Sequence, residues 1–230
     1  MGNLIELQNV SKIYRGAVDT QVLFNINLTF VEGSFNSIVG ESGSGKSTLL
    51  NILGTLDRPS EGDVVINGLT TSSLTKNELA ELRNQTIGFV FQFHYLLPEF
   101  TARENVLISY QIGKQRIEKE TLKRVDDLFE LLGISKVKNN LSTKMSGGQQ
   151  QRAAIARALM NNPKIILADE PTGNLDSENT ATIYQIFRDI NRQYGTTFII
   201  VTHDRTIAQQ TDRIIEISDG RIVADNNRPK

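Results

Sequence analysis

The residues best suited to chemistry are gathered in a few short stretches. Gly40-Glu41-Ser42-Gly43-Ser44-Gly45-Lys46-Ser47 fits G-x-x-x-x-G-K-[ST] at every fixed position. Glycines at these intervals let backbone N–H groups turn inward around phosphate oxygens. Lys46 is then placed to reach a β- and γ-phosphate, and Ser47 to offer its hydroxyl to Mg²⁺. A second stretch, Ile165-Ile166-Leu167-Ala168-Asp169-Glu170, is an apolar run ending in two carboxylates. Asp169 suits a Mg²⁺ ligand, and Glu170 suits a group that orients or deprotonates an attacking water. A third, Phe198-Ile199-Ile200-Val201-Thr202-His203, repeats that design and delivers one of only two histidines. His203 is read as a γ-phosphate contact. Gln92, after the apolar run Ile87 to Phe91, is within reach of the metal or of the attacking water.

One further stretch, MSGGQQQRAAIARALM from Met145 to Met160, raises a question. Its second half has the apolar spacing of a helix. A helix start needs a capping serine, and Ser146 supplies it. It does not need Gly147 and Gly148 as well. Two glycines there point to a large anion approaching the backbone at a helix N-terminus.

These stretches need elements to position them. Ile5 to Val10 and Val22 to Val31 alternate apolar and polar residues, as half-buried strands do. Ser37-Ile38-Val39 reads as a buried strand feeding the glycine-rich loop, with a helix running on through Thr48-Leu49-Leu50-Asn51-Ile52-Leu53. Val64 to Ile66 and Ile87 to Phe91 read as strands, and Lys76 to Arg83 as a short helix. The runs 165–168 and 198–201 are continuously apolar, which suits parallel strands covered on both faces. Glu178 to Tyr194 between them reads as the crossover helix. Residues from about 93 to 161 are rich in helix formers and read as several helices. Ile214 to Val223 contains Asp219-Gly220, a hairpin signal. The outline is one α/β domain over 1–230, with a P-loop NTPase core of mainly parallel sheet. The core spans approximately 1–92 and 162–224 and carries an N-terminal antiparallel β-subdomain. An inserted α-helical subdomain spans approximately 93–161, and 225–230 is expected to be a flexible tail.

Composition removes several classes. The 25 basic and 26 acidic residues leave a formal charge of -1, which supports neither nucleic-acid binding nor a polybasic membrane anchor. Cysteine is absent, so disulfides, zinc-thiolate sites and thiol nucleophiles are excluded. The first residues show no secretory signal, and no apolar run approaches the length needed to span a bilayer. The expectation is a cytoplasmic protein that works at a membrane only through another chain.

Together these residues resemble the ATP-binding subunit of an ABC transporter, over essentially the whole chain. Gly40 to Ser47 matches the family's Walker A, and Thr48 beside it joins the nucleotide-binding set. Ile165 to Asp169 matches Walker B, with Glu170 as catalytic glutamate. Gln92 matches the Q-loop, Asn174-Leu175-Asp176 the D-loop, and His203 the switch histidine. Tyr14 stands where the family stacks an aromatic on adenine. Ser146-Gly147-Gly148-Gln149 matches the ABC signature. The resemblance implies catalytic roles for Glu170, His203 and Gln92, nucleotide contacts that include Asp176, and Mg²⁺ at Ser47, Gln92 and Asp169. It also implies that the signature faces an ATP held by the Walker A of a second copy, giving a homodimer with ATP between its halves. A separate integral membrane permease is the expected partner.

Within the family, FQFHYLLPEFTARENV, from Phe91 to Val106, and PTGNLDSENT after Glu170 look like the lipoprotein-releasing branch. The macrolide-exporter type is a near neighbour, and both imply mechanotransmission to a membrane subunit. Met145 and Arg103 replace leucines common there. A regulatory ABC ATPase acting on a membrane-bound cell-wall or cell-division partner is the alternative. DNA-repair members carry zinc cysteines, and chromosome-maintenance members carry a long coiled coil. Translation members carry two cassettes, and P-loop kinases and GTPases lack the Ser-Gly-Gly-Gln motif; none of these patterns is met here.

Overall fold

The computed structural model describes residues 2–113 and 116–227. In chain order the strands are β1 (Asn3–Tyr14), β2 (Thr20–Val31), β3 (Phe35–Val39), β4 (Glu61–Ile66), β5 (Leu69–Thr70), β6 (Ile87–Phe91), β7 (Ile165–Asp169), β8 (Thr197–Thr202), β9 (Arg213–Ser218) and β10 (Arg221–Asn227). The α-helices are α1 (Lys46–Leu53), α2 (Lys76–Thr86), α3 (Ala102–Ile112), α4 (Lys119–Leu131), α5 (Gly147–Leu159), α6 (Ser177–Tyr194) and α7 (Arg205–Ala208).

Two sheets form. β2-β1-β4-β5 is antiparallel, and β10-β9-β3-β8-β7-β6 is parallel from β9 to β6, with β10 antiparallel at its edge. The continuously apolar strands lie in the middle of the larger sheet. Every residue of β3 and β8 is buried, and so are the first four of β7. Such strands need cover on both faces, and two core clusters supply it. One joins a face of the sheet to α3, α4, α5 and α6. The other joins the opposite face to α1 and the antiparallel sheet. Each large apolar side chain so buried contributes roughly 1.5–3 kcal/mol.

α3, α4 and α5 all lie within 93–161. Reciprocal capping boxes start α2, α3 and α5, at Thr75 with Glu78, Thr101 with Glu104 and Ser146 with Gln149. Arg103, the departure from leucine, forms an ion pair at 2.7 Å with Asp126 of α4 and so ties α3 to it. One expectation changes. The tail expected to be flexible from 225 is strand as far as Asn227. Asp225 pairs with Ile215 on β9, and its carboxylate takes two hydrogen bonds from Arg213, at 2.7 and 2.6 Å. A polar, asparagine-rich stretch hides that strand, because its pairing is held by a bidentate ion pair rather than by apolar burial. Residues 228–230 lie outside the described residues.

Candidate nucleotide site

Parallel strands present their carboxyl ends together. Across β3, β8, β7 and β6 the register aligns Val39 with Thr202, Val201 with Asp169, and Asp169 with Phe91. The residue after each strand therefore emerges on one edge. β3 delivers Gly40, β6 delivers Gln92, β7 ends in Asp169 and leads to Glu170, and β8 delivers His203. A cavity of about 450 Å³ at that edge is lined by Ser42, Gly43, Gly45, Lys46, Ser47, Thr48, Gln92, Asp169, Glu170, His203 and Val22. Gly40 and Glu41 line an adjoining cavity together with Ser42 and His203.

The loop has the backbone that the glycines permit. Gly45 has φ 103, and a Cβ there would stand 2.9 Å from Leu23 Cδ2 and 3.1 Å from the Val22 carbonyl. At Gly40 a Cβ would lie 2.2 Å from the Ile217 carbonyl oxygen, so no side chain fits. α1 starts at Gly45 with no side-chain cap, which leaves its first N–H groups for an anion. Lys46 is buried, and its ammonium donates to the carbonyls of Gly40 at 2.9 Å and Glu41 at 2.7 Å. Ser44 is buried as well.

The carboxylates differ. Burial pushes the Asp169 carboxyl above the usual carboxylate range, and the nearby charge of Glu170 adds to that. A hydrogen bond from Ser47 and the charge of Lys46 act against it. Glu170 has φ 45, a left-handed backbone that is uncommon outside glycine. Its Oε1 accepts from the backbone N–H of His203 at 2.9 Å and is paired with Nδ1 of the ring at 2.8 Å. Gln92 donates to Asn174 Oδ1 at 3.2 Å and receives a bond from Asn174 on its carbonyl at 3.3 Å. It covers Gly173, where a Cβ would meet Gln92 Nε2 at 2.7 Å.

Other sequence-selected residues stand apart from this cavity. Tyr14 is 43% exposed; its ring lies 4.9 Å from Lys12 Nζ, and its hydroxyl donates to Asp57 at 3.0 Å. It pairs with Thr20, two residues from Val22, which does line the cavity. Ser146 and Gly147 are exposed at the start of α5. There Ser146 donates its N–H to Gln149 Oε1 at 3.0 Å and accepts from the Gln149 N–H at 3.4 Å. Asp176 caps α6, accepting from the Asn179 backbone N–H at 2.8 Å, and that bond holds its carboxyl below the usual range. Sequence reasoning missed Val22, Asn179 and Gln151. Gln151 carried a visible signal, since it stands three and four residues before Ala154 and Ile155 on the apolar face of α5.

A glycine-rich cradle before a helix, joined at adjoining strand ends by carboxylates, an amide and an imidazole, defines a P-loop ATPase. Comparison with known proteins narrows the class. A family described as ABC transporter matches residues 23–173. The lipoprotein-releasing system ATP-binding protein LolD 1 of Rhodopseudomonas palustris (strain ATCC BAA-98 / CGA009) is 48% identical over 224 residues, covering 96% of this chain and 99% of that protein. LolD of Anaeromyxobacter dehalogenans (strain 2CP-C) is 49% identical over 222 residues, 96% of this chain and 93% of that protein. Among solved structures, the dimeric ATP-binding cassette MJ0796 bound to ADP and Pi in a post-hydrolysis state has a TM-score of 0.91 at 42% identity. That match covers 98% of this chain and 99% of the MJ0796 chain. The chain belongs to the ABC transporter family, as one of its ATP-binding ATPases.

Proposed function

We propose that this chain binds ATP with Mg²⁺, pairs with a second copy around two ATP molecules, and uses hydrolysis to drive a separate membrane subunit of lipoprotein-releasing type. One observation carries the reading: Gln92, Asp169, Glu170 and His203 converge on the cavity of the phosphate cradle, whereas Ser146 and Gly147 lie exposed outside it.

Each residue then has a role set by its chemistry. Backbone N–H groups of Gly43 to Thr48 and the start of α1 hold the phosphates. Lys46 exchanges loop carbonyls for phosphate oxygens. Asp169 accepts a hydrogen bond from Ser47, so a carboxylate and a hydroxyl stand side by side. With Gln92, these are the oxygen donors Mg²⁺ takes alongside substrate phosphates. Bound there, the ion neutralises charge developing on the phosphoryl oxygens. Glu170 orients the attacking water and accepts its proton. His203 holds Nδ1 against Glu170 at 2.8 Å, which leaves Nε2 for contact with a γ-phosphate. Tyr14 stacks on adenine.

The two glycines of the signature separate two causes. A Cβ on Gly148 would stand 2.5 Å from Asn179 Oδ1, so packing within the chain excludes any side chain there. A Cβ on Gly147 would meet nothing nearer than Leu175 at 3.7 Å. Its bareness has no cause inside the chain, and a nucleotide held by a second copy supplies one. Asp176 lies beside the same surface. The homodimer in MJ0796 and the LolD relatives support this reading.

Among the described residues no helix is long and apolar enough to cross a membrane. Phe93, Tyr95, Leu97 and Phe100, 62%, 65%, 38% and 38% exposed, form an apolar loop beside Gln92 where the membrane subunit docks. The protein acts at the inner face of the cell membrane through that subunit. The motion is passed on as in the lipoprotein-releasing and macrolide-export types, without a substrate channel.

Light scattering on the eluting Glu170→Gln variant tests the sandwich. The mass should double with ATP and Mg²⁺ and return to that of the single chain without nucleotide. Turnover should fall about 100-fold or more. A variant that binds ATP yet keeps one mass in both conditions would overturn the dimer, and wild-type turnover would remove Glu170 from its role.

A further inference from the structure

The roles above leave one fully buried amide of α5 unused. Gln151 is 0% exposed. Its Nε2 donates to the carbonyl of Pro171 at 2.5 Å and to that of Phe91 at 3.4 Å. Its Oε1 is paired with His94 Nδ1. Both amide hydrogens are committed to carbonyls, so Oε1 is the acceptor and His94 carries its proton on Nδ1. Pro171 directly follows Glu170, and Phe91 directly precedes Gln92. Gln151 itself lies on the helix that Ser146 starts.

The backbone at Glu170 depends on its surroundings. Its left-handed φ of 45 persists only where neighbours over-determine it. Its N–H donates to the Val201 carbonyl at 3.0 Å, and its own carbonyl accepts from the Gly173 N–H at 3.0 Å. Those bonds hold the turn to the sheet and to itself. Pro171 has no N–H, and its carbonyl is bound by Gln151, so that bond fixes the turn against α5. On the other side, Arg157 of α5 donates to the carbonyls of His94 at 2.8 Å and Tyr95 at 2.6 Å. The loop carrying exposed Phe93 and Tyr95 is therefore seated on the helix that holds the Glu170 turn.

We propose that Gln151 is a positioning residue for hydrolysis: it holds the Glu170–Gly173 turn, and with it the Glu170 carboxylate, in a place set through His94 by the seating of the 93–97 loop. This rests on the role proposed above for Glu170. A displacement of the loop pulls on His94, then on Gln151, then on Pro171. Nucleotide affinity rests chiefly on the cradle, which Gln151 does not touch, and the Gln151 bond nearest Gln92, to the Phe91 carbonyl, is the longer of its two at 3.4 Å.

The test is ATP turnover and ATP affinity of the full chain carrying Gln151→Met, which keeps the side-chain volume and removes the donors. Its kcat should fall about 10- to 100-fold while the Kd for ATP stays within about twofold. In a Glu170→Gln background, adding Gln151→Met should change the residual rate by less than about twofold, because the group it positions is already gone. A packing role alone would lower the rate by the same factor in both backgrounds, and that result overturns the proposal. Wild-type turnover in Gln151→Met overturns it as well. If Gln151→Met does not fold, His94→Leu decides: about a threefold or larger loss of kcat at unchanged Kd supports the proposal, and wild-type kcat overturns it. Glu170→Gln alone keeps the two readings apart. If it turns over at the wild-type rate, the role of Glu170 falls. If it is slow while Gln151→Met is normal, only the Gln151 proposal falls.

Discussion

Two helices of this chain begin at glycines, and they begin differently. α1 starts from Gly45 at φ 103 with no side-chain cap, beside a buried lysine and facing Asp169 and Glu170 across a cavity. α5 starts from Ser146 at φ -66 and ψ 159, with the N–H groups of Ser146 and Gln149 engaged in a reciprocal capping box. The first helix start is bare and surrounded by charge from its own chain. The second is capped at Ser146 and Gln149, exposed, and outside that cavity. On the function proposed above, the first would be a half-site that binds phosphate by itself, and the second a surface whose ligand would arrive on another molecule, which is how a ligand comes to favour an assembled state.

The sharpest contrast comes from removing the central group on each side. Lys46→Ala should weaken ATP binding to the single chain by about 100-fold, the loss of a desolvated, charge-assisted contact. Ser146→Ala should leave single-chain affinity within about twofold and act on the ATP-dependent dimer instead. Calorimetry for binding and light scattering for mass, both in a Glu170→Gln background, separate the two. Equal losses of single-chain affinity in both variants would erase the distinction between the half-sites.

The cradle was legible in the sequence because its backbone demands glycine at fixed intervals and its chemistry demands a lysine at one place. The strand ends were legible because continuous apolar runs such as 165–168 and 198–201 betray parallel strands, and parallel strands bring their carboxyl ends together. What stayed hidden depends on contacts far apart along the chain. Asn179, 31 positions beyond Gly148, is what forbids a side chain there. The bonds from Gln151 to Phe91 and Pro171 span 60 and 20 residues. The last strand was hidden because Arg213 and Asp225, rather than an apolar pattern, hold it.

The glycines of α5 sharpen the comparison inside one motif. Gly148→Ala should lower Tm by roughly 3–8 °C, because the new Cβ displaces Asn179 from two hydrogen bonds to Asp176, each 3.0 Å long. Gly147→Ala should leave Tm within about 1 °C and weaken the ATP-dependent dimer by about tenfold. Differential scanning calorimetry and light scattering read the two effects. A Gly147→Ala protein that dimerises normally would show that the exposed glycine does not meet a nucleotide.

The smallest effect tests how far the first half-site extends. Asp57 binds Lys12 at 2.6 Å and the Tyr14 hydroxyl at 3.0 Å. Partial burial alone would raise its carboxyl pKa, but hydrogen bonds from Lys12, Tyr14 and the Arg58 backbone, with the charge of Lys12, hold it below 3.8. A lowered carboxylate stabilises the fold above the unfolded value of 3.8, and that stabilisation is lost as the pH falls through the lower folded value. Asp57→Asn should therefore lower Tm slightly at pH 7.5, with the gap to wild type closing as acid protonates the native carboxyl. If Tyr14 belongs to the cradle, the same substitution loosens its ring, and ATP affinity should drop about two- to threefold. Affinity for inorganic triphosphate, which has no base to stack, should not change. A matching loss for both ligands would place Tyr14 outside the adenine contact and confine the half-site to the cradle and the strand ends.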